Sequence, residues 1–437
     1  MKKIIKSSLP ILIVIMSAFI IRLVVMKELG VQYNLVSDDY YYVQSGIEFK
    51  ETGKITIYGT ESAQIMPGMP WLISIFVFIF GKGKMLWIAL KLFWISMGCL
   101  SIYAVYKTMN IYANKIISAM VCLLFCVPDF AWMDNLILTE TPFMLGSAFL
   151  VYNSIMLANT KKNKYYIGIV AWYMFTLMFR PTIALYPLFL FAFLLAKKYD
   201  IKLLLKQAVI AGLVLIAFVI PWSIRNYNLY KNFIPLTYGT GNPKLLGTYQ
   251  GYGYPKDEDL DYIKNVDEKL PPNVKKYSEA KITKENMHLN GYATLEKDNY
   301  KAKYRMKVWW QTDKKSMIKS YCIHKPRILI YNTFYWKQVL NVKTNSILLI
   351  RKIELILCAI LGIAFLIMRK RVKEILFIGA LYIYQIAVYS YTFAFDRYGQ
   401  TLIFYRYIFI AWMLGEIYLL IKERLLKKKE TKKMLNQ

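Results

Sequence analysis

The chain has 437 residues, 57% of them hydrophobic, with a formal net charge of +30 and a mean hydropathy of +0.33. That hydropathy, concentrated in long apolar runs, excludes an ordinary soluble domain and marks a polytopic membrane protein. Lysine and arginine sit in short clusters between the runs, as in loops beside lipid headgroups, which excludes nucleic acid as the partner.

The N-terminus reads M-K-K-I-I-K before an apolar run. Small residues at a cleavage site are missing, so the run is expected to remain as a first helix over about Leu9–Lys27. Lys2, Lys3 and Lys6 hold its start in the cytoplasm, which places Gly30 onward outside. Two adjacent acids, Asp38 and Asp39, follow at once in S-D-D-Y-Y-Y. The run Trp71–Phe80 is too short to cross a hydrocarbon core. Pro67, Gly68 and Pro70 start it and Gly81 stops it, the punctuation of a short helix on the outer surface.

Further spans are expected at about Met85–Tyr106, Ile116–Trp132, Thr141–Ala158, Tyr165–Phe179, Thr182–Ala196, Leu205–Pro221, Ile347–Met368, Ile375–Phe393 and Leu402–Ile421. With the short helix left outside, the inner loops collect Lys107 and Lys115, then Lys161, Lys162 and Lys164. Lys197, Lys198, Lys202 and Lys206 follow, then Arg369, Lys370, Arg371 and Lys373. The tail adds Lys427, Lys428, Lys429, Lys432 and Lys433. This alternation gives about ten crossings with both termini cytoplasmic. Lys82 and Lys84, at the end of the short helix, are the local exception. Residues 165–196 read equally as two short crossings or a re-entrant hairpin that turns near Arg180-Pro181.

The expected fold is therefore an all-α polytopic membrane protein with an external interfacial helix after the first span. Residues 1–222 form an N-terminal transmembrane module whose first external loop spans 30–84. Residues 223–345, the one long polar region, form a small mixed external domain or lid. Residues 346–437 supply the last spans and a basic cytoplasmic tail.

Five cysteines and two histidines limit the chemistry. Cys99, Cys122, Cys126 and Cys358 lie in apolar runs and only Cys322 in a polar one, so no external disulfide framework is expected. His288 and His324 are too few for a histidine metal cluster. Acids at the outer ends of spans are the informative group, because ionisable residues there are costly. Asp38 and Asp39 repel one another and precede aromatic residues, yet a solvated helix cap reads the same way. Glu140 in L-T-E-T-P is either a functional acid or one that complements a helix dipole, and Asp134 has a weaker version of the same claim. Arg180 in F-R-P-T, Arg225 in P-W-S-I-R-N and Arg397 in D-R-Y carry guanidinium forks suited to phosphate, or are snorkelling interfacial arginines.

The order of these motifs resembles a known family. An acid pair leads, then Met66-Pro67-Gly68-Met69-Pro70, an outer T-E, an R-P-T and P-W-x-I-R-N-Y. H-K-P (His324–Pro326), F-Y-W (Phe334–Trp336) and D-R-Y (Asp396–Tyr398) close the series. That order, from Ser37 to about Arg406, is similar to the GT-C integral membrane glycosyltransferases, in the family 39-like branch of protein O-mannosyltransferases and aminoarabinose transferases. The chain departs from that branch at Met66–Pro70, where P-P-G-[YF]-P is frequent, and in its lysine-rich external segment.

The resemblance implies an inverting transfer of a sugar from a polyprenyl-phosphate donor to a lipid, glycan or protein acceptor at the outer face. It implies a general base at Asp38 or Asp39, with Glu140 as second acid. Donor phosphate would be held by Arg180, Arg225 and Arg397, and substrate by Tyr40, Tyr41 and Asp134. A divalent metal (Mg or Mn), if used, would sit on Asp39 and Glu140. Two other functions fit the compartment: a lipid-linked oligosaccharide polymerase or ligase, and a transporter or flippase of polyprenyl-linked sugar. The absence of an internal repeat weighs against the transporter.

Overall fold

The structure, a computed structural model, describes residues 2–435. The side chains of Lys2, Lys3, Lys6, Lys429, Lys432 and Lys433, used in the charge alternation, lie outside the described residues. The chain is mostly helical. Helix α1 (Lys2–Leu29) leads to α2 (Asp38–Thr52), a two-stranded hairpin of β1 (Thr56–Ile57) and β2 (Thr60–Glu61), and α3 (Gly68–Phe80). Helix α4 (Lys84–Met109) is followed by α5 (Lys115–Cys122), α6 (Pro128–Asp134), α7 (Glu140–Thr160), α8 (Asn163–Phe179), α9 (Tyr186–Ala196) and α10 (Ile201–Tyr230). A polar segment then holds α11 (Gly241–Gly247), α12 (Tyr262–Asn265), α13 (Pro272–Glu279), α14 (Met287–Thr312), α15 (Lys314–Lys319) and α16 (Lys325–Tyr331). The chain closes with α17 (Thr344–Met368), α18 (Val372–Tyr391), α19 (Asp396–Gln400) and α20 (Ile403–Leu435).

A helix or bent helical pair stands at each of the ten expected spans, and six are long and apolar enough to cross a membrane. The others depart for separate reasons. Helices α5 and α6 meet at a bend of 67°, where Pro128 opens the second piece. Helices α8 and α9 are short, and α17 carries Arg351, Lys352 and Glu354. The pair α8–α9 nevertheless reaches both ends of the bundle. Arg180, after α8, lines the cavity described below, and Lys197, after α9, pairs at 2.6 Å with Glu374 at the opposite end.

Local chemistry explains the boundaries near the cavity. Pro67 precedes α3, and Gly81 ends it at φ +67°, a left-handed conformation glycine adopts without strain. Helix α3 enters the bundle against α8, where a Cβ on Gly68 would stand 2.5 Å from the carbonyl oxygen of Met178. Only glycine permits that approach. The polar segment, expected to be of mixed structure, is helical, and among the described residues the only strands are β1 and β2 in the first loop.

Two sets of buried charges inside the bundle are paired. Arg22 Nε donates to Asp134 at 2.7 Å, and Thr141 donates to the other Asp134 oxygen at 2.7 Å. Arg351 is clasped between Asp129 and Glu354, with Thr333 on Asp129 and Tyr407 on Glu354. Each acid thus meets a cation and a hydroxyl, the arrangement that offsets desolvation in a water-poor interior. The second network ties α6, α17 and α20 together, which accounts for the charges in α17.

Candidate active site

A cavity of about 730 Å³ opens where the bundle meets the polar segment. Its inner wall comes from α2, the hairpin, the start of α3, the turn after α8, and the region from α18 to α19. The opposing wall is Thr237, Thr240, Asn242, Gly291 and Thr294. Among the described residues, three lining side chains are charged: Asp38, Arg180 and Arg397. A second cavity, of about 200 Å³, lies among α8, α9 and α10 and has no charged lining residue.

The two adjacent acids have separated roles. Asp39 is fully buried and faces the preceding turn. Its carboxylate accepts from the backbone N–H groups of Leu35 (2.8 Å), Tyr40 (2.9 Å) and Ser37 (3.4 Å). Burial pushes its carboxyl above the ordinary value, although those N–H donors oppose the rise. Asp38, one residue earlier in the first turn of α2, faces the cavity. Arg397 Nη2 donates to its Oδ2 at 2.6 Å, and the Tyr58 hydroxyl donates to Oδ1 at 2.8 Å. Burial works to raise Asp38 too, but Arg397, Tyr58 and Arg180 outweigh it and hold the carboxyl below its usual range.

From Asp38 the charges alternate inward. Arg397 Nε also lies 3.4 Å from Glu140, which is buried at the first residue of α7 and ion-paired with Arg180. Arg180 Nε donates to Thr139 at 2.7 Å, and one of its terminal nitrogens donates to the Tyr389 hydroxyl at 3.3 Å. The Tyr398 ring packs against both guanidinium groups, 5.0 Å from Arg180 and 5.3 Å from Arg397. It also stacks on Tyr389 at 4.6 Å. Asp396 is bonded by Trp336 Nε1 at 2.9 Å and caps the backbone N–H of Arg397 at 2.7 Å, which fixes the approach of that arginine. Glu140 therefore serves as an anionic spacer behind two arginines and does not line the cavity.

Of the residues singled out in the sequence, Asp38, Arg180 and Arg397 converge, with Glu140 behind them. The expected convergence of a third arginine does not occur. Arg225 bonds the hairpin instead, reaching Ser62 O at 2.8 Å, Ile55 O at 3.3 Å and Glu61 at 3.3 Å. Asp134 belongs to the buried pair with Arg22. Tyr40 and Tyr41 do not line the cavity, and Tyr42, one residue on, does. Tyr58, Tyr389 and Tyr398 were not anticipated. The Y-G pair of Tyr58-Gly59 is a turn signal, and Tyr398 adjoins Arg397 in D-R-Y, but neither spacing announces its partner.

The expected metal ligands do not make a fitting cage. Asp39 spends its oxygens on backbone N–H groups, and Glu140 is engaged by Arg180 and Arg397. Among the described residues no group of three His, Cys, Asp or Glu side chains is placed to hold an ion. Two guanidinium groups already bring positive charge to the cavity.

Comparison with known proteins agrees with the motif order. Residues 64–224, from the end of the hairpin through most of α10, match the family of dolichyl-phosphate-mannose-protein mannosyltransferases. No curated protein matches the sequence. The fold is similar to the oligosaccharyltransferase of Archaeoglobus fulgidus in its apo form, with a TM-score of 0.53 at 14% identity over 96% of this chain. The same archaeal enzyme, AglB, in complex with an inhibitory peptide and a dolichol-phosphate, matches with a TM-score of 0.52 at 14% identity over 96% of this chain. The chain spans about half the length of those enzymes, 52% and 51% respectively. ArnT from Cupriavidus metallidurans, bound to undecaprenyl phosphate, matches over 93% of this chain and 77% of its own at 12% identity. Its TM-score is 0.42. The chain thus resembles the GT-C membrane glycosyltransferases in its motifs, in the matched region 64–224 and in its fold.

Proposed function

We propose that this protein is a membrane glycosyltransferase that moves a sugar from a polyprenyl-phosphate donor to an acceptor hydroxyl. The observation that carries this reading is the charge chain Asp38–Arg397–Glu140–Arg180 at the rim of an apolar bundle. It puts one carboxylate and two guanidinium groups in a single cavity. The cavity suits a ligand with an anionic head, an apolar tail and a neutral polar sugar. Arg180 and Arg397 receive the phosphate. The uncharged wall of Thr237, Thr240, Asn242 and Thr294 supplies donors and acceptors for sugar hydroxyls.

Asp38 is the general base in this reading. It accepts the proton of the acceptor O–H as the acceptor oxygen bonds to the anomeric carbon. The bond from that carbon to the phosphate oxygen breaks, and polyprenyl phosphate departs with the electron pair, its charge met by the two arginines. Attack opposite the leaving group inverts the carbon. Asp38 is a weak base while Arg397 holds it. A donor phosphate competes for Arg397 and loosens that hold, so the base strengthens when the donor is bound. Asp39, spent on the backbone, has no proton-accepting role.

The sidedness follows from the positive-inside rule. With the cavity outside, Lys107, Lys115, Lys161, Lys162, Lys164 and the cluster at Arg369–Lys373 all lie at the cytoplasmic end, and Lys82 and Lys84 are the exception. Residues 223–345 then form an external lid over the cavity.

Undecaprenyl phosphate, without a sugar, tests the phosphate site. Added to detergent-solubilised protein it raises the unfolding midpoint of the wild type, because a ligand that binds only the folded state stabilises it. Arg180→Gln and Arg397→Gln shrink that rise. An equal rise in wild type and both variants contradicts the assignment.

A further inference from the structure

The hairpin in the first loop has a backbone its sequence does not favour. Thr56 pairs with Glu61 and Ile57 with Thr60, which leaves a two-residue turn of Tyr58 and Gly59. Both have positive φ, +52° and +74°, as a type I′ turn requires. Asn-Gly or Gly-Gly fits that turn without strain. A bulky residue at its first position is an outlier, and strained residues of this kind persist where the surroundings over-determine them.

The surroundings do so here. Arg225 from α10 bonds the backbone on both sides of the hairpin, at Ile55 and Ser62, and the side chain of Glu61. The Tyr238 hydroxyl lies 2.9 Å from Ser62, and the Tyr230 hydroxyl accepts from the N–H of Ala63 at 3.2 Å. With its base fixed, the hairpin carries Tyr58 to the cavity rim. The ring packs edge-on against Tyr41 at 4.7 Å, and the hydroxyl ends 2.8 Å from Asp38 Oδ1. Arg397 holds the other oxygen. Tyr58 is half exposed, so burial does not account for a tyrosine at this strained position.

We propose that Tyr58 is a positioning residue for Asp38, and that the Arg225-clamped hairpin delivers its hydroxyl to one carboxylate oxygen so that Asp38 meets the acceptor in a fixed plane. The proposal rests on the reading of Asp38 as the base. Tyr58 donates a hydrogen bond and loses no proton in the reaction. Burial, then the neighbouring Asp38, pushes its hydroxyl above the ordinary tyrosine value, so it stays a donor at any working pH. The groups facing Asp38 are Arg397, Tyr58 and Arg180, with Tyr42 and Asp39 also near it. Removing Tyr58 leaves Arg397 as its one direct donor.

The test uses full-length protein in native membranes, with radiolabelled undecaprenyl-phosphate mannose as probe donor and endogenous acceptors. Tyr58→Phe keeps the ring and loses the hydroxyl. Its kcat is expected to fall roughly tenfold, the loss for one hydrogen bond to a charged group, with the donor KM unchanged. The acidic limb of kcat/KM moves to higher pH, because the carboxylate has lost a stabilising donor. Tyr58→Asn relieves the strained turn, so it unfolds at a higher temperature than wild type while transferring as poorly as Tyr58→Phe. A purely structural Tyr58 gives Tyr58→Phe a wild-type kcat and an unmoved limb, and that result overturns the proposal. Asp38→Asn, run beside it, separates the two claims. Wild-type transfer by Asp38→Asn removes Asp38 as the base, whereas no transfer by the wild type itself removes the transferase reading. A dead Asp38→Asn beside a normal Tyr58→Phe removes only the positioning role.

Discussion

At the scale of single residues, orientation decides chemistry. Asp38 and Asp39 are identical in type and adjacent in sequence, yet helix α2 starts between two environments. One carboxylate faces a cavity with two arginines, and the other caps a turn. The sequence showed that an acid pair was there and left open which acid would act, because a one-residue step around a helix start depends on the turn that precedes it. The same limit applies to Arg225, whose partner lies more than 160 residues away in a hairpin. Asp39→Asn is expected to lower stability by about 1–2 kcal/mol through the weakened cap, seen as a lower unfolding midpoint, while activity per folded molecule stays near wild type. The pH profile separates free from donor-bound enzyme. Arg397 and Tyr58 hold Asp38 ionised in the free protein, so the acidic limb of kcat/KM lies below the usual carboxylate range. A bound donor draws Arg397 toward phosphate, so the limb of kcat is expected at higher pH than that of kcat/KM. Coincident limbs contradict the competition for Arg397.

At the scale of helices, the ten apolar segments were legible because length and hydropathy are local properties. What keeps them together was not, since it depends on pairs far apart in sequence. Arg22 lies 112 residues from Asp134, and Arg351 lies 222 from Asp129. Arg22→Met leaves Asp134 as a buried, uncompensated charge and is expected to cost about 3–5 kcal/mol, measured as loss of folded protein in detergent. The double variant Arg22→Met with Asp134→Leu recovers most of that loss. The polar segment docks on the bundle through a different device. Lys325, from the H-K-P motif, is fully buried, donates to the carbonyl of Thr392 at 3.1 Å and sits 3.5 Å over the Tyr321 ring. Burial pushes its ammonium down to about 7, whereas an unfolded lysine titrates near 10.4. Between those values the unfolded chain binds the extra proton, so stability rises with pH across that window and is lost as pH falls back through it. Lys325→Met flattens the rise, which a thermal unfolding series from pH 7 to 10 reads directly.

At the scale of the whole molecule, an apolar bundle and a basic, polar segment enclose one cavity between them. Motif order pointed to this architecture, since the acids and arginines that meet there recur at successive ends of spans. The helical character of residues 223–345 was hidden, because lysine, tyrosine and asparagine carry little period, and α14 buries only scattered positions. On the proposed sidedness, accessibility probes at Gly81 and Tyr249 are expected to report the external side. The central claim is that Asp38 removes the acceptor proton. Its most direct test is sugar transfer from undecaprenyl-phosphate mannose in native membranes by Asp38→Asn, at matched amounts of folded protein. The account predicts a fall of about 10²–10⁴-fold in kcat, the contribution typical of a general base. Transfer by Asp38→Asn at the wild-type rate would contradict it.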